Sequence, residues 1–351
     1  MGLPVGPQRI ELKTVTSRLL PLLLFIATCA LAKFPESFDR PLEVIAFGSC
    51  NRDELPQPAW PAISANEPDL WIWAGDNIYA DWYQPADKKV KYTVNRAWIT
   101  ERYAAQFNRP DYTVFRKQTP ILGTWDDHDY GKNNAVGDYA LKEVSRDLAL
   151  VFLEVPLSDP RWTRPGLYGS YDFGPQGRRT RILLIDNRYF ATSPEAENAT
   201  LLGDAQKTWL EEQFSESDAD LHVVVTGSQF VADQHRWDSW GKYPAERRWL
   251  LDLIRKHQRR TVFISGDRHI HEISLLETDD QPYPIADVTS SGLTHSWENF
   301  PGEKNPHRIG EVFTGLGFGL IRIDWSGEAP RLELEIRDTE NRIRNRCEIR
   351  F

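Results

Sequence analysis

The pattern that most constrains this chain is a short apolar run that stops abruptly in a cluster of metal-ligating or acid–base side chains. It occurs four times. Val44–Phe47 runs into Gly48-Ser49-Cys50-Asn51, and Leu70–Ala74 into Gly75-Asp76-Asn77-Ile78-Tyr79-Ala80-Asp81. Ile121–Thr124 runs into Trp125-Asp126-Asp127-His128-Asp129, with Asn133 and Asn134 close behind. Val262–Ser265 runs into Gly266-Asp267-Arg268-His269-Ile270-His271-Glu272. Short apolar, β-branched runs predict buried strands. Ligands of α/β sheets bind beyond the carboxyl ends of strands, so these four ends are expected to converge on one crevice.

Each cluster alone has an ordinary explanation. Gly-Asp after a strand is usual turn chemistry. A single Cys50 is more often a small core residue than a ligand. His269 and His271, two apart, would share a strand face and could simply pack. The four together argue otherwise. Carboxylates gathered in one crevice repel unless a cation balances them. Oxygen ligands suit Ca²⁺, Mg²⁺ or Mn²⁺, whereas Cys and His suit softer metals. The mixed set predicts two metal sites of different character.

Further strands are expected at Arg181–Ile185, His222–Thr226, Ala286–Thr289, Leu320–Ile323 and Leu332–Ile336. Helical periodicity appears at Arg96–Gln106, Leu141–Phe152, Asp204–Phe214 and Ala245–His257, with Asp204 placed as an acidic cap. The middle alternates strand and helix and the last third is mostly strand, which predicts an α/β sandwich. Pro and Gly cluster in Pro160–Pro175, suggesting an insertion or hairpin. No internal domain boundary stands out.

Thirteen Trp, 16 Phe and 12 Tyr in 351 residues exclude a disordered chain. The net charge of −9 argues against broad nucleic-acid binding, which needs Lys and Arg to neutralise phosphates. Residues 1–32 read as a secretory signal peptide. Arg9, Lys13 and Arg18 precede an apolar run from Leu19 to Ala32 that ends in Ala30-Leu31-Ala32. That run is too short to span a bilayer, so no transmembrane segment is expected after cleavage. Thr28 before Cys29 fits a lipoprotein site poorly, so a lipid anchor is not expected. The location implied is secreted, periplasmic or extracellular. Cleavage removes three basic residues and one acidic one, taking the charge from −9 to −11, and leaves Cys50 and Cys347 as the only cysteines able to pair.

With FGSCN, GDNIYAD, TWDDHDYGKNN, LLIDNRYF, WGKYPAERRWLLDLI and SGDRHIHEIS in this order, residues 33–351 resemble the PhoD-like alkaline phosphatases, a branch of the metallophosphoesterases. The resemblance implies an α/β fold, the four-layer αββα sandwich of the calcineurin-like metallophosphoesterase type. It implies a hydrolase of phosphate mono- or diesters acting through a metal-bound hydroxide, with Fe(III) and Ca²⁺ as cofactors, and a monomer is expected. Carried over residue by residue, Asp76 is the bridging carboxylate. Cys50, Tyr79 and His269 are the iron ligands. Asp127, Asp267 and Asn133 face the second metal, with Asp126 competing with Asp127. His128 holds the position of the phosphate-contacting histidine. Apart from the carry-over, His128 and Asp76 are expected to be catalytic, with His128 assisting the leaving oxygen, and Asn51, Arg188 and Arg268 are expected to orient the anion. The usual Asp-x-His of the first superfamily motif is replaced here by Gly48-Ser49-Cys50, and His271 is an extra. Gln229 and His235 lie near the strand at His222–Thr226 without an assigned role.

Two other functions fit parts of the sequence. A cysteine phosphatase built on Cys50 would need an Arg six positions on, where Pro56 stands. A secreted, non-catalytic glycan- or polymer-binding protein would use its Trp residues as stacking surfaces, and Trp237, Trp240, Tyr243 and Trp249 are expected near the pocket rim.

Overall fold

A computed structural model describes residue 34 and residues 39–85 and 91–351. The expected signal peptide and Cys29 lie outside the described residues. Two sheets form the centre. The first has the order β13-β12-β11-β1-β2-β3, where β1 is Val44–Gly48, β2 Leu70–Ala74, β3 Ile121–Thr124, β11 Gly317–Asp324, β12 Arg331–Asp338 and β13 Ile343–Arg350. The second has the order β10-β8-β9-β7-β6-β5-β4. Here β4 is Gly169–Phe173, β5 Thr180–Leu184, β6 Leu221–Val225, β7 Thr261–Ser265, β8 His271–Leu276, β9 Ile285–Ser290 and β10 Arg308–Phe313. β1, β2 and β3 are mutually parallel, as are β5, β6, β7 and β9.

The layering follows from the two-residue period of the strands. Val223 and Val225 of β6 face Ile45, Ile72, Ile264 and Leu334 in the core between the sheets. Val224, between them, joins Phe263, Leu210, Phe214, Leu250 and Ile254 under the helices Gly203–Ser215 and Pro244–Lys256. On the far side, Trp71 and Trp73 of β2 pack on Trp60, Tyr112, Phe115 and Phe152 from three further helices. This is the expected αββα sandwich. At about 1.5–3 kcal/mol for each buried aliphatic or Phe side chain, the stacked layers are the main stabilising element.

The nine expected strands are present, shifted by a few residues at most. Four more were not expected: β4, β8, β10 and β13. The Pro160–Pro175 segment holds a short 3₁₀ turn at Pro160–Trp162 and the whole of edge strand β4. Asp204 is not a cap but lies in the first turn of its helix. That helix start is instead held by Glu246, whose carboxylate accepts from the backbone of Leu201 (2.9 Å) and Leu202 (3.0 Å). Both described cysteines are free, so Cys50 and Cys347 do not pair.

His222 on β6 gives a pH prediction. Its Nε2 lies 2.8 Å from Ser217 Oγ, and burial lowers its pKa from 6.5 to about 3. Between those values the unfolded chain binds a proton that the folded chain does not. Stability is therefore full above about pH 6.5 and falls with acidification by roughly 1 kcal/mol per pH unit. Urea unfolding of the parent and His222→Gln at pH 7 and pH 5 should show a smaller loss in the variant. An equal loss in both would refute this.

Candidate metal centre

The two sheets are pinned together where β1 and β9 end. Ser49 and Ser291 form a parallel bridge, Ser49 Oγ donates to Ser290 O (2.9 Å), and Leu293 N donates to Ser49 O (3.2 Å). This seam sets the loops after β1, β2 and β3 opposite the loop after β7. Four residues in these loops adopt left-handed backbone: Cys50 (φ 58°), Asp76 (φ 51°), Asp267 (φ 67°) and His269 (φ 53°). Such residues cost of order 1 kcal/mol or more each and persist where the surroundings hold them, often at functional sites. Gly75 (φ 92°) is needed for the same packing, because a Cβ there would lie 2.6 Å from Asp126 Cβ.

The convergence expected from the sequence is present. Potential ligand atoms of Cys50, Asp76 and His269 lie within 4.8 Å of one another. So do those of Asp76, Asp127 and His128, and those of Asp126, Asp127 and Asp267. Asp76 belongs to the first two groups and Asp127 to the last two. Asp76 Oδ2 accepts from Cys50 Sγ (3.3 Å) and Tyr79 OH (3.0 Å), and Tyr79 OH is 2.9 Å from His269 Nε2. Asp126 and Asp127 are not exclusive choices, since both approach Asp267.

The electrostatics show what these groups lack. Burial pushes Asp76 well above the usual carboxylate range, with Cys50 and Asp127 adding to the rise. Burial, then Asp127, raises Asp267 to about 6. Burial raises the Cys50 thiol and lowers His269 to about 4. Asp126 Oδ2 and Asp127 Oδ1 are buried without a hydrogen-bond partner. Buried acceptors without donors are costly, and cations would satisfy them. The donor sets fit two different ions. Sulfur, nitrogen, phenol and carboxylate surround one position, and carboxylates alone surround the other.

Several supporting residues were not singled out from the sequence. Asp81 Oδ1 is 2.6 Å from His128 Nδ1, and its Oδ2 accepts from Asn133 N (2.5 Å). Tyr79 stacks on the His128 ring at 4.0 Å. Burial alone would lower the His128 pKa, but Asp127, Asp76 and Asp81 outweigh it and raise it well above 6.5. Asp129 Oδ2 accepts from Asn77 N (3.1 Å) and Asn77 Nδ2 (2.6 Å), locking the β2 and β3 loops together. Ser291 Oγ lies 2.9 Å from Cys50 Sγ and accepts from His269 N (2.6 Å). His295 meets the His269 ring at 4.5 Å and Tyr79 at 5.0 Å. Asn77, Asp81 and Asp129 lie within the sequence clusters, whereas Ser291 and His295 lie beyond any of the four.

A cleft of about 480 Å³ opens over the site, lined by His128, Asn133, Asp267, Arg268 and His269 among others. Arg268 pairs with Glu303 there. Arg188 is buried, its Nε on Asp126 Oδ1 (2.7 Å) and Nη1 on Asp238 Oδ2 (2.8 Å). Asn51 is directed elsewhere: its amide donates to Asn77 O (3.0 Å) and Gln106 Oε1 (2.7 Å). His271 is bonded away from the clusters, at 3.2 Å to both Ser290 Oγ and Gly315 O. Gln229 Nε2 is spent on Glu272 and Thr289, both at 2.7 Å. Of the four rim aromatics, Trp237 lines this cleft and Tyr243 an adjoining one. Trp240 is wholly buried, and Trp249 reaches Glu211 instead.

Residues 45–304 match the family model described as PhoD-like phosphatase. Alkaline phosphatase D of Bacillus subtilis is 25% identical over 284 residues, covering 68% of this chain and 48% of its own length. The chain thus spans about half the length of that curated relative. A solved structure of PhoD superposes with a TM-score of 0.71 at 18% identity, covering 90% of this chain and 70% of that one. GAP50, the anchor in the inner membrane complex of Plasmodium, superposes with a TM-score of 0.57 at 14% identity, covering 89% and 90%.

Proposed function

The chain belongs to the PhoD-like phosphatase family, and from that premise we propose that it is a secreted, metal-dependent hydrolase of phosphate mono- or diesters. The carrying observation is the pair of ligand groups joined through Asp76 and Asp127, with unpartnered buried carboxylate oxygens inside them. The fold by itself would not suffice, since one fold carries catalysts and anchors alike.

Cys50, Tyr79, His269 and Asp76 would hold Fe(III). Asp126, Asp127 and Asp267, with Asn133 at the cleft, would hold Ca²⁺. Bound there, the ions would polarise phosphoryl oxygens and acidify water at neutral pH. The chain's own residues do the rest. Asp81 holds His128 Nδ1, so the other ring nitrogen is available to the cleft to contact the phosphoryl group and protonate the departing oxygen. Arg268 at the cleft wall and Arg188 behind Asp126 orient the anion. Asn51, with both amide protons engaged, supports the Asp76 loop rather than the substrate.

The glycan-binding alternative loses its main support, because Trp60, Trp71, Trp73 and Trp125 are core residues. Residues 1–32 are proposed to direct export and residues 33–351 to form the catalytic domain. No described helix is long and apolar enough to cross a membrane.

One preparation tests the reading. Protein loaded with iron and calcium should hydrolyse p-nitrophenyl phosphate or its bis ester and lose that activity to chelators. Inertness towards both would overturn it. The same sample should show a visible phenolate-to-iron charge-transfer band that Tyr79→Phe abolishes; a colourless, iron-free active protein would overturn the iron assignment.

A further inference from the structure

Beside the cleft over the metal centre lies a second chamber of about 320 Å³. The two share Asn134, Arg236, Trp237 and Asp238 as lining residues, so they form one continuous groove. Trp237 stands at the junction, 38% exposed, with Arg236 4.5 Å from its ring and Trp297 edge-on at 5.6 Å. Its Nε1 donates to Glu303 Oε1 (2.6 Å), which fixes the indole in place.

The charges in the chamber are unevenly satisfied. Asp238 is paired with Arg188 at 2.8 Å, and Glu195 accepts from Ser193 Oγ. The guanidinium of Arg236 and the ammonium of Lys242 have no carboxylate within 4.0 Å among the described residues. Arg188, at the inner wall, has a buried Nη2 without a hydrogen-bond partner. With Arg188 held by Asp126 and Asp238, Arg236 and Lys242 face Glu195 as the one remaining carboxylate of the lining, in a chain whose net charge is −9. An unpaired cation pair beside an anchored indole is a site for an anion joined to an apolar or ring body.

We propose that this chamber is a subsite for the organic part of the ester, which lies along Trp237 and carries a second negative charge onto Arg236 and Lys242. The inference rests on the phosphoesterase reading and names its substrate class: phosphate esters whose alcohol or second ester arm is bulky and bears a further anionic group. Small esters fill only the cleft over the metals and forgo these contacts.

A matched probe pair tests it, thymidine 5′-(p-nitrophenyl phosphate) with and without a 3′-phosphate, assayed by nitrophenolate release from the metal-loaded protein. The 3′-phosphorylated probe should have the lower KM by about tenfold, as expected for charge-assisted hydrogen bonds. In Arg236→Ala/Lys242→Ala that preference should fall to near unity, and Lys242→Glu should reverse it. Trp237→Ala should raise KM for both probes. Absence of the preference, or its persistence in the double variant, would overturn the subsite. Turnover of p-nitrophenyl phosphate or its bis ester without discrimination within the pair would sink this inference alone. No turnover of any of the four would sink the phosphoesterase reading itself.

Discussion

Asp76→Ala will lose bound metal and turnover together. Asp76 is the one carboxylate that enters both the Cys50–His269 group and the Asp127–His128 group. Its Oδ2 meets Cys50 and Tyr79, while its Oδ1 accepts from His128 N at 3.3 Å. Removing only an outer partner of a metal ligand costs 10- to 100-fold, so removing a shared ligand should cost at least about 100-fold in kcat/KM. Metal content by elemental analysis should fall in step. Stability should move the other way in metal-free protein. Burial and the charges of Cys50 and Asp127 hold the Asp76 carboxyl far above its ordinary range, so the ionised group strains the folded state. The metal-free variant should therefore unfold at a denaturant concentration no lower than metal-free parent, as in other sites where function opposes stability. Full metal content or near-parental activity in Asp76→Ala would remove the bridging assignment.

The sequence revealed the fold best where strands are buried on both faces. β2 is a continuous apolar run and β6 is one interrupted only by His222, because both their faces are covered, and they are readable to within a residue. β10 and β13 were missed because they lie at sheet edges and bury few side chains. In Ile343–Arg350 only Asn345 and Ile349 are buried, and the rest reads as a charged loop. The one-turn helix Asp127–Tyr130 carries no legible periodicity, because it is a single turn of three polar residues and one tyrosine. The ligand types were legible for a related reason: a parallel strand must end somewhere, and acids at its end are exposed to the pattern. Groups that act across long separations were not. Ser291 reaches Cys50 from 241 residues away and Asp81 reaches His128 from 47. No local spacing encodes such contacts; the seam between Ser49 and Ser291 creates them. Asn51 is a similar case: its amide donates to Asn77 O and to Gln106, 55 residues away, a pairing that no local spacing encodes.

His128→Ala should retain metal and lose kcat by about 10²–10⁴-fold, the usual range for a general acid. His128 belongs by distance to the group with Asp76 and Asp127, so a ligand role is the competing account. The Asp81 contact fits both roles, since metal-bound histidines also give their other ring nitrogen to a carboxylate, and it is the position of His128 in the cleft wall that favours the acid role. Nδ1 is occupied by Asp81 at 2.6 Å, the ring is stacked on Tyr79, and the residue lines the cleft where the ester would enter. An imidazole held in this way presents its remaining nitrogen in a fixed orientation, which is what proton delivery to a leaving oxygen requires. Two measurements separate the accounts. If His128 is a ligand, its removal lowers metal content as Asp76→Ala does. If it protonates the leaving group, metal content holds and the loss depends on the ester: esters of poor leaving alcohols lose most, and p-nitrophenyl esters, whose leaving group barely needs a proton, lose least. Asp81→Asn should give a smaller loss with the same leaving-group dependence, about 10- to 100-fold, because the ring loses its orienting charge but keeps its proton-carrying nitrogen. Equal losses for good and poor leaving groups would assign His128 to phosphoryl binding alone.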